Sequence, residues 1–197
     1  TSSFTSCPAT ISYDIPLTEI QTAGDGTTIA SSYQSGTGTS SDPYPMYYPS
    51  QFVYFIAQVN SGLSYADTYF KLCSNIDLNN KAINPISAFA GHFIGGGRSV
   101  KNFTITGTAN PLGLFCTLSG SVDGLGITGF TISGTYDTDA STMVVVGGLA
   151  GLCSGTITNC YAVGSVTATN KYGITVGGLV GSLPGTATNC YANVSVS

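Results

Sequence analysis

The stretch VGGLAGLCSGTITNCYAVGSV at 146–166 recurs as VGGLVGSLPGTATNCYANVSV at 176–196. The two copies are 30 residues apart with no insertion between them, so Cys160 aligns with Cys190 and Tyr161 with Tyr191. Internal repeats of about 20–50 residues are typical of solenoids, in which each unit buries its apolar face on the next. The duplicated stretch therefore predicts stacked coils and argues against a compact enzyme domain.

Two more divergent copies precede this pair. The segment GLFCTLSGSVDGLGITGFTISG at 113–134 aligns one step of 35 residues upstream, which places Leu125 on Cys160. The segment HFIGGGRSVKNFTITG at 92–107 has the same glycine cluster followed by closely spaced apolar residues. We assign the extra length of the 35-residue step to the polar run 135–142, predicted to be a loop between turns.

The coils are predicted to consist of strands. Valine, isoleucine, threonine and phenylalanine dominate them, and apolar and polar residues alternate at 100–107 and 191–197. Glycines mark the corners, and no segment of the repeats shows a helical period. The sequence thus predicts an all-β fold, a right-handed parallel β-helix (β-solenoid) with about four coils between Ile83 and Ser197.

The composition excludes several classes of function. Only 7% of residues are charged, the net charge is −4, and lysine and arginine total five. A chain with so few basic residues has no patch for nucleic acid. No apolar run approaches the roughly 20 residues of a membrane span. With one histidine and no CxxC motif, a zinc site is not expected.

The phrase VGGLxGxxxGTxTNCYAxxSV, common to both copies, resembles the GLUG repeat of large bacterial and some other cell-surface proteins. The segments 52–78 and 88–105 are similar to those that commonly precede such repeats, so the resemblance covers about residues 51–197. It implies a β-solenoid in secreted or surface-anchored proteins that are often described as adhesins. The repeat also occurs beside the catalytic domain of IgA-cleaving metallopeptidases, but this chain has no HExxH motif.

The resemblance supplies no catalytic residues. We therefore predict a non-enzymatic protein of the extracellular space or cell surface, with no catalytic, cofactor-binding or metal-binding residues.

Two regions are predicted. Residues 1–50 form an irregular N-terminal extension, with a candidate edge or exchanged strand at 9–21 and a polyproline-like passage at 41–50. Residues 51–197 form the solenoid and its capping helix. That helix is expected at 50–60, with Ser50 as its N-cap and its apolar face on the first coil.

The last coil reaches Ser197 with no polar cap after it, and an uncovered coil presents free backbone donors and acceptors. Either the chain belongs to a longer protein or the open end is used for association. The function expected is structural or adhesive, with head-to-tail assembly through the coil ends into a filament or surface layer. The alternative is a module that binds glycans or host surface proteins. A polysaccharide-active β-helix enzyme ranks last.

Six cysteines allow up to three disulfides in an exported chain. Cys160 and Cys190 are expected to stack in the core as small buried apolar side chains, an interpretation favoured over a bridge between them. Two further candidate bridges are Cys116–Cys153 and Cys7–Cys73.

Other side chains are interpreted mainly as structural. Asn159 and Asn189 are predicted to form an amide ladder at a coil corner. The rings of Tyr161 and Tyr191 would form a sugar-binding platform if they face outward and part of the core if they face inward.

The candidate catalytic residues are few. His92 follows Gly91 in a predicted turn and is interpreted as structural. Asp137 and Asp139 are read as a solvated loop in preference to a Ca²⁺ site. Asp77 and Asp123 show no sign of a glycosidase acid pair. The sequons for N-glycosylation are Asn102-Phe-Thr and Asn193-Val-Ser.

Overall fold

The computed structural model describes residues 29–137 and 142–197. This part of the chain is a β-solenoid of about five turns with one short helix, built from parallel sheets. The predicted all-β solenoid is confirmed. The turn count exceeds the predicted four because strands and a helix already form turns upstream of Ile83.

The solenoid begins with strand β1, Tyr44–Met46, and helix α1, Pro49–Asn60. The remaining strands, in chain order, are β2 (Tyr69–Leu72), β3 (Ile76–Ala82), β4 (Ile86–Phe89), β5 (His92–Gly107), β6 (Phe115–Leu118), β7 (Ser121–Tyr136), β8 (Val144–Gly147), β9 (Ala150–Cys153), β10 (Thr156–Thr158), β11 (Tyr161–Asn170), β12 (Ile174–Gly177), β13 (Val180–Ser182), β14 (Thr186–Thr188) and β15 (Tyr191–Val196).

Three parallel sheets run along the solenoid axis. The largest has nine strands, with the path β1-β2-β5-β7-β10-β14 and with β3, β11 and β15 paired beside it. A second sheet has the order β13-β9-β6-β4, and the third is the pair β12-β8. Neighbours in these sheets come from successive turns, as the repeat requires.

The register confirms the alignment made from the sequence. Tyr161 pairs with Tyr191 on one side and with Gly126 on the other. Thr158 pairs with Asp123. Two residues separate Thr158 from Tyr161, and two separate Asp123 from Gly126, so Cys160 lies level with Leu125.

The interior is a continuous apolar column. Along one line of the large sheet, Phe70, Phe93, Val122 and Ile157 are paired in succession and are at most 1% exposed. Their neighbours in sequence point outward, which is the period of two that a parallel sheet imposes. Burial of this column supplies the main stabilisation, at roughly 25 cal/mol per Å² of apolar surface removed from water.

Helix α1 covers the first turns, as predicted. Phe52, Phe55, Ile56 and Val59 are buried, and the Phe55 ring lies 5.4 Å from that of Phe89. The predicted N-cap is wrong, because the cap is Tyr48.

Pro49 occupies the first position of the helix, where its missing N–H costs nothing. The Gln51 side chain then accepts hydrogen bonds from the backbone N–H groups of Tyr47 and Tyr48.

Two boundaries differ from the sequence-based expectation. The passage 41–50 contains strand β1, whose Met46 is fully buried, so the large sheet begins inside the predicted extension. Strand β7 continues to Tyr136, into the predicted loop 135–142. The candidate strand at 9–21 lies outside the described residues.

Candidate functional site

The corner beside β10 and β14 carries the predicted asparagine ladder, and it is one rung longer than expected. Asn189 Nδ2 donates to Asn159 Oδ1 at 3.3 Å, and Asn159 Nδ2 donates to Asp123 Oδ1 at 2.9 Å. Both asparagines have left-handed backbones, with φ of 54° and 55°, a conformation that asparagine tolerates better than most residues. The ladder is thus a structural corner, as interpreted from the sequence.

The next residue in each turn is a cysteine, and the two stack as predicted. Cys160 is 1% exposed and Cys190, in the last turn, is half-buried; both are free thiols. Cys160 Sγ lies 3.1 Å from the carbonyl oxygen of Thr158, and Cys190 Sγ repeats the contact with Thr188 at 3.2 Å. Burial raises the pKa of the Cys160 thiol to about 12, which makes it a poor nucleophile.

The suggested bridge between Cys116 and Cys153 is wrong, because both are buried free thiols. Phe115 pairs with Ala150, and Leu118 pairs with Cys153. Cys116 directly follows Phe115, so it lies two positions from Leu118, the partner of Cys153. The two-residue offset therefore separates the sulfurs along the strand. The link between Cys7 and Cys73 stays a prediction, because Cys7 lies outside the described residues.

The rings of Tyr161 and Tyr191 face outward and stack. Their centroids are 5.3 Å apart and their planes differ by 7°. Tyr191 is 59% exposed, while Tyr161 lies flat over Gly126, where a Cβ atom would come within 2.3 Å of its ring. Because the two rings face each other, the surface left for the apolar face of a sugar ring is the exposed Tyr191 ring.

His92 is the first residue of β5 and does not lie in the predicted turn. Its ring stacks on Tyr69 at 4.2 Å, and its Nδ1 lies 2.7 Å from Ser121 Oγ. These three side chains form one outward column along the large sheet. The column places a hydroxyl beside the imidazole, and the described contacts add no carboxylate to orient the ring.

The acidic residues considered as a pair belong to different clusters. Asp77 Oδ1 accepts from the Asn79 backbone N–H at 3.0 Å and from Asn102 Nδ2 at 2.9 Å, and Lys101 Nζ lies 3.3 Å from Asp77 Oδ2. These donors, the Asn79 N–H first, lower the pKa of Asp77. Asp123 instead accepts from Thr158 and Asn159.

Of the other acidic pair, Asp137 and Asp139, the structure describes only Asp137. Asp137 follows the end of β7, and Asp139 lies outside the described residues. In the described part of the chain, no three His, Cys, Asp or Glu side chains are grouped as metal ligands would be.

The two sequons differ in accessibility. Asn102 uses its amide to donate to Asp77 and has a left-handed backbone, with φ of 57°. Asn193 is exposed on β15.

The residues that the structure describes include no helix long and apolar enough to cross a membrane.

In the last turn of the described chain, the core positions are less buried than their repeat partners one turn earlier. One turn earlier, Val146, Leu149 and Ala150 are fully buried, whereas their repeat partners Val176, Leu179 and Val180 are half-buried and pack against the core from one side. On the neighbouring strand, Ala162 is buried and its partner in the last turn is exposed. In the described chain, the last turn therefore presents the edges of β12 to β15 together with half-buried apolar side chains.

The opposite end of the described solenoid is closed. Helix α1 lies over it, and the segment before β1 packs there through Tyr33, whose ring stacks on Tyr44 at 4.8 Å. A Cβ atom at Gly36 would lie 2.5 Å from the Pro43 carbonyl oxygen, which shows how closely this segment follows the start of β1. One end thus presents a helix and a packed segment to a partner, whereas the other presents the edges of β12 to β15.

Comparison of the chain with protein-family models, with curated proteins and with solved structures finds no match.

Proposed function

We propose that this protein is a non-enzymatic structural or adhesive β-solenoid of the extracellular space or a cell surface, which self-associates through the uncovered end of its last coil. The observation that carries the proposal is the set of strand edges and half-buried apolar side chains in the last turn. The half-buried core residues and strand edges would gain both burial and hydrogen bonds from a partner. The GLUG-like phrase and the low charge support the location.

The partner that fits this end is the same end of a second copy. Head-to-tail stacking, expected from the sequence, would set free strand edges against a helix and a loop at the closed end. Two uncovered ends related by a two-fold axis would instead pair strand edge with strand edge, in an antiparallel manner. Such a contact is self-complementary and gives a dimer, whereas head-to-tail contacts give a filament.

Sedimentation velocity over a range of concentrations tests this. The wild-type chain is expected to form dimers, and Val196→Asp, which puts a charge on the uncovered end, is expected to shift it to monomers. Leu63→Asp is the matched control, since both side chains are 47% exposed and Leu63 follows helix α1 at the closed end. It should leave the dimer intact.

A wild-type chain that stays monomeric at the highest attainable concentration would contradict the proposal. Filaments of the wild-type chain that disappear in both variants would show that the two ends contact each other. That result would support head-to-tail assembly instead of the dimer.

A second candidate function is glycan binding, favoured by the outward, parallel Tyr161–Tyr191 stack. On a glycan array, Tyr191→Ala should lose any signal of the wild-type chain. Tyr172→Ala is the control, because Tyr172 is also exposed, at 44%, and stands outside the stack. No bound glycan, or equal binding by both variants, would remove this candidate.

A further inference from the structure

One lateral face of the large sheet displays hydroxyl groups in a regular array. Strands β5, β7 and β11 each place two or three outward threonine or serine side chains there, and β15 adds Ser195, with Ser197 directly after the strand. This set, the hydroxyl face, consists of Thr104, Thr106, Thr131, Ser133, Thr135, Ser165, Thr167, Thr169, Ser195 and Ser197.

The register makes the array continuous. Thr104, Thr131, Ser165 and Ser195 are paired in one column across four strands. In the second column, Thr106 pairs with Ser133 and Ser133 with Thr167, while Thr167 Oγ1 lies 3.0 Å from Ser197 Oγ. The register shift in this part of the sheet falls between Val163 and Gly164, before the face begins.

The hydroxyls are held in place. Ser165 Oγ donates to Thr131 Oγ1 at 3.2 Å, so neighbouring groups along a column are linked. Threonine has few side-chain rotamers because it is branched at Cβ. Beneath the face, Ile105, Ile132 and Val166 are fully buried, and the rings of Phe103 and Phe130 stack at 5.7 Å. The face therefore has a rigid support.

The spacing of the array is fixed by the geometry of a parallel sheet. The strands that carry the columns are about 4.8 Å apart, and adjacent columns are about 6.6 Å apart, or two residues along a strand. Within a column, neighbouring hydroxyl oxygens approach each other more closely, to 3.2 Å between Ser165 and Thr131 and 3.0 Å between Thr167 and Ser197. Each hydroxyl can both donate and accept, as each water in ice does.

The face also carries no charge. None of its ten residues is ionisable, in a chain with 7% charged residues. A charged side chain would orient water around itself and would disturb a lattice of bound water. A neutral array of hydroxyls, with methyl groups at its six threonines, favours water molecules in fixed positions. We propose that the hydroxyl face binds ice, holding water in an arrangement that joins a growing crystal.

This inference does not depend on association at the coil end, because the face lies on the side of the solenoid. The test measures inhibition of ice recrystallisation and partition of the fluorescently labelled full chain into slowly growing ice. The wild-type chain should be enriched in the ice and should keep the crystals small. Thr131→Arg, in the middle of the face, should lower both effects at least tenfold.

Thr156→Arg is the matched control. Thr156 is an exposed threonine paired within the same large sheet, but it lies on β10, outside the hydroxyl face. It should behave as the wild type. If thermal melting shows that Thr131→Arg is misfolded, Thr135→Lys takes its place at an exposed position of the face.

Three results would overturn the proposal. The first is exclusion of the wild-type chain from ice, and the second is an equal loss of the effect in Thr131→Arg and Thr156→Arg. The third is binding to crystalline cellulose or chitin that Thr131→Arg abolishes, without any effect of the wild-type chain on ice.

Discussion

At the scale of single residues, the repeated corner links three successive turns through stacked side chains. Asp123, Asn159 and Asn189 stack and pass one hydrogen bond from turn to turn. The cysteine that follows each asparagine fills the interior where the chain turns back. This division of labour explains why the Asn-Cys-Tyr triplet occurs twice without change.

The buried thiol of Cys160 predicts a dependence of stability on alkaline pH. Burial raises its pKa from 9.0 to about 12 in the folded chain, so the folded state keeps a proton that the unfolded state loses. The stabilisation is complete below pH 9 and declines as the pH rises towards 12. One such group contributes at most about 1.4 kcal/mol per pH unit.

Denaturant titrations between pH 8 and about 11.5 measure this slope. Cys160→Ala should decrease less steeply than the wild type, although it is less stable at neutral pH because a cavity replaces the sulfur. Identical slopes in the two proteins would show that Cys160 does not ionise on unfolding in this range.

At the scale of elements, glycines allow the turns to approach each other at the corner before β7 and β10. Gly120 and Gly155 occupy the same position in successive turns. A Cβ atom on Gly120 would lie 1.9 Å from the Gly91 carbonyl oxygen, and one on Gly155 would lie 1.9 Å from the Gly120 carbonyl oxygen. The strands on both sides could not keep their spacing with a side chain here.

Gly120→Ala is therefore expected to lower the free energy of unfolding by about 1–3 kcal/mol or more, since the contact is with backbone that cannot move aside. Gly173→Ala is the control, because no atom lies within 4 Å of its Cβ position. That variant should stay within about 0.5 kcal/mol of the wild type in thermal or denaturant melts. Equal stabilities for both variants would refute the close approach.

The elements also show what could be predicted from the sequence. The register of the last two turns follows from an uninterrupted repeat, because one alignment fixes every pair. Strand β1 was missed because Pro43 and Pro45 suggest a polyproline segment, whereas Met46 is buried in the first turn. The helix start was missed because Tyr48 is not a usual cap and the side chain of Gln51 supplies the missing acceptor.

The hydroxyl face was not predicted either. The alternation of polar and apolar residues at 100–107 was visible, but the face depends on where the chain bends before it. Asn102 and Gly129, with φ of 57° and 60°, make that bend in β5 and β7. The residue types alone do not give these backbone angles. The hydroxyl-bearing parts of β5, β7, β11 and β15 can be placed side by side only when the bend is known.

At the scale of the whole molecule, the solenoid has two different ends and two different sides. Helix α1 and the segment before β1 lie over one end of the described solenoid, and strand edges with half-buried apolar side chains form the other. The stacked tyrosines and the hydroxyl face are both products of one in-register stack. Each proposed function therefore depends on successive turns lying directly over one another.

Cysteine cross-linking of adjacent turns measures that register directly. In the double variant Thr131→Cys with Ser165→Cys, the new thiols replace hydroxyl groups 3.2 Å apart, and mild oxidation should link them. In Thr131→Cys with Thr167→Cys, the partner is shifted by two residues, so the Cα atoms are about 8 Å apart, beyond the reach of a disulfide.

Mass spectrometry of the linked peptides identifies the bond in each protein. The in-register stack predicts a cross-link between positions 131 and 165 and none between 131 and 167. A cross-link only in the second variant, or in neither, would contradict the solenoid described here.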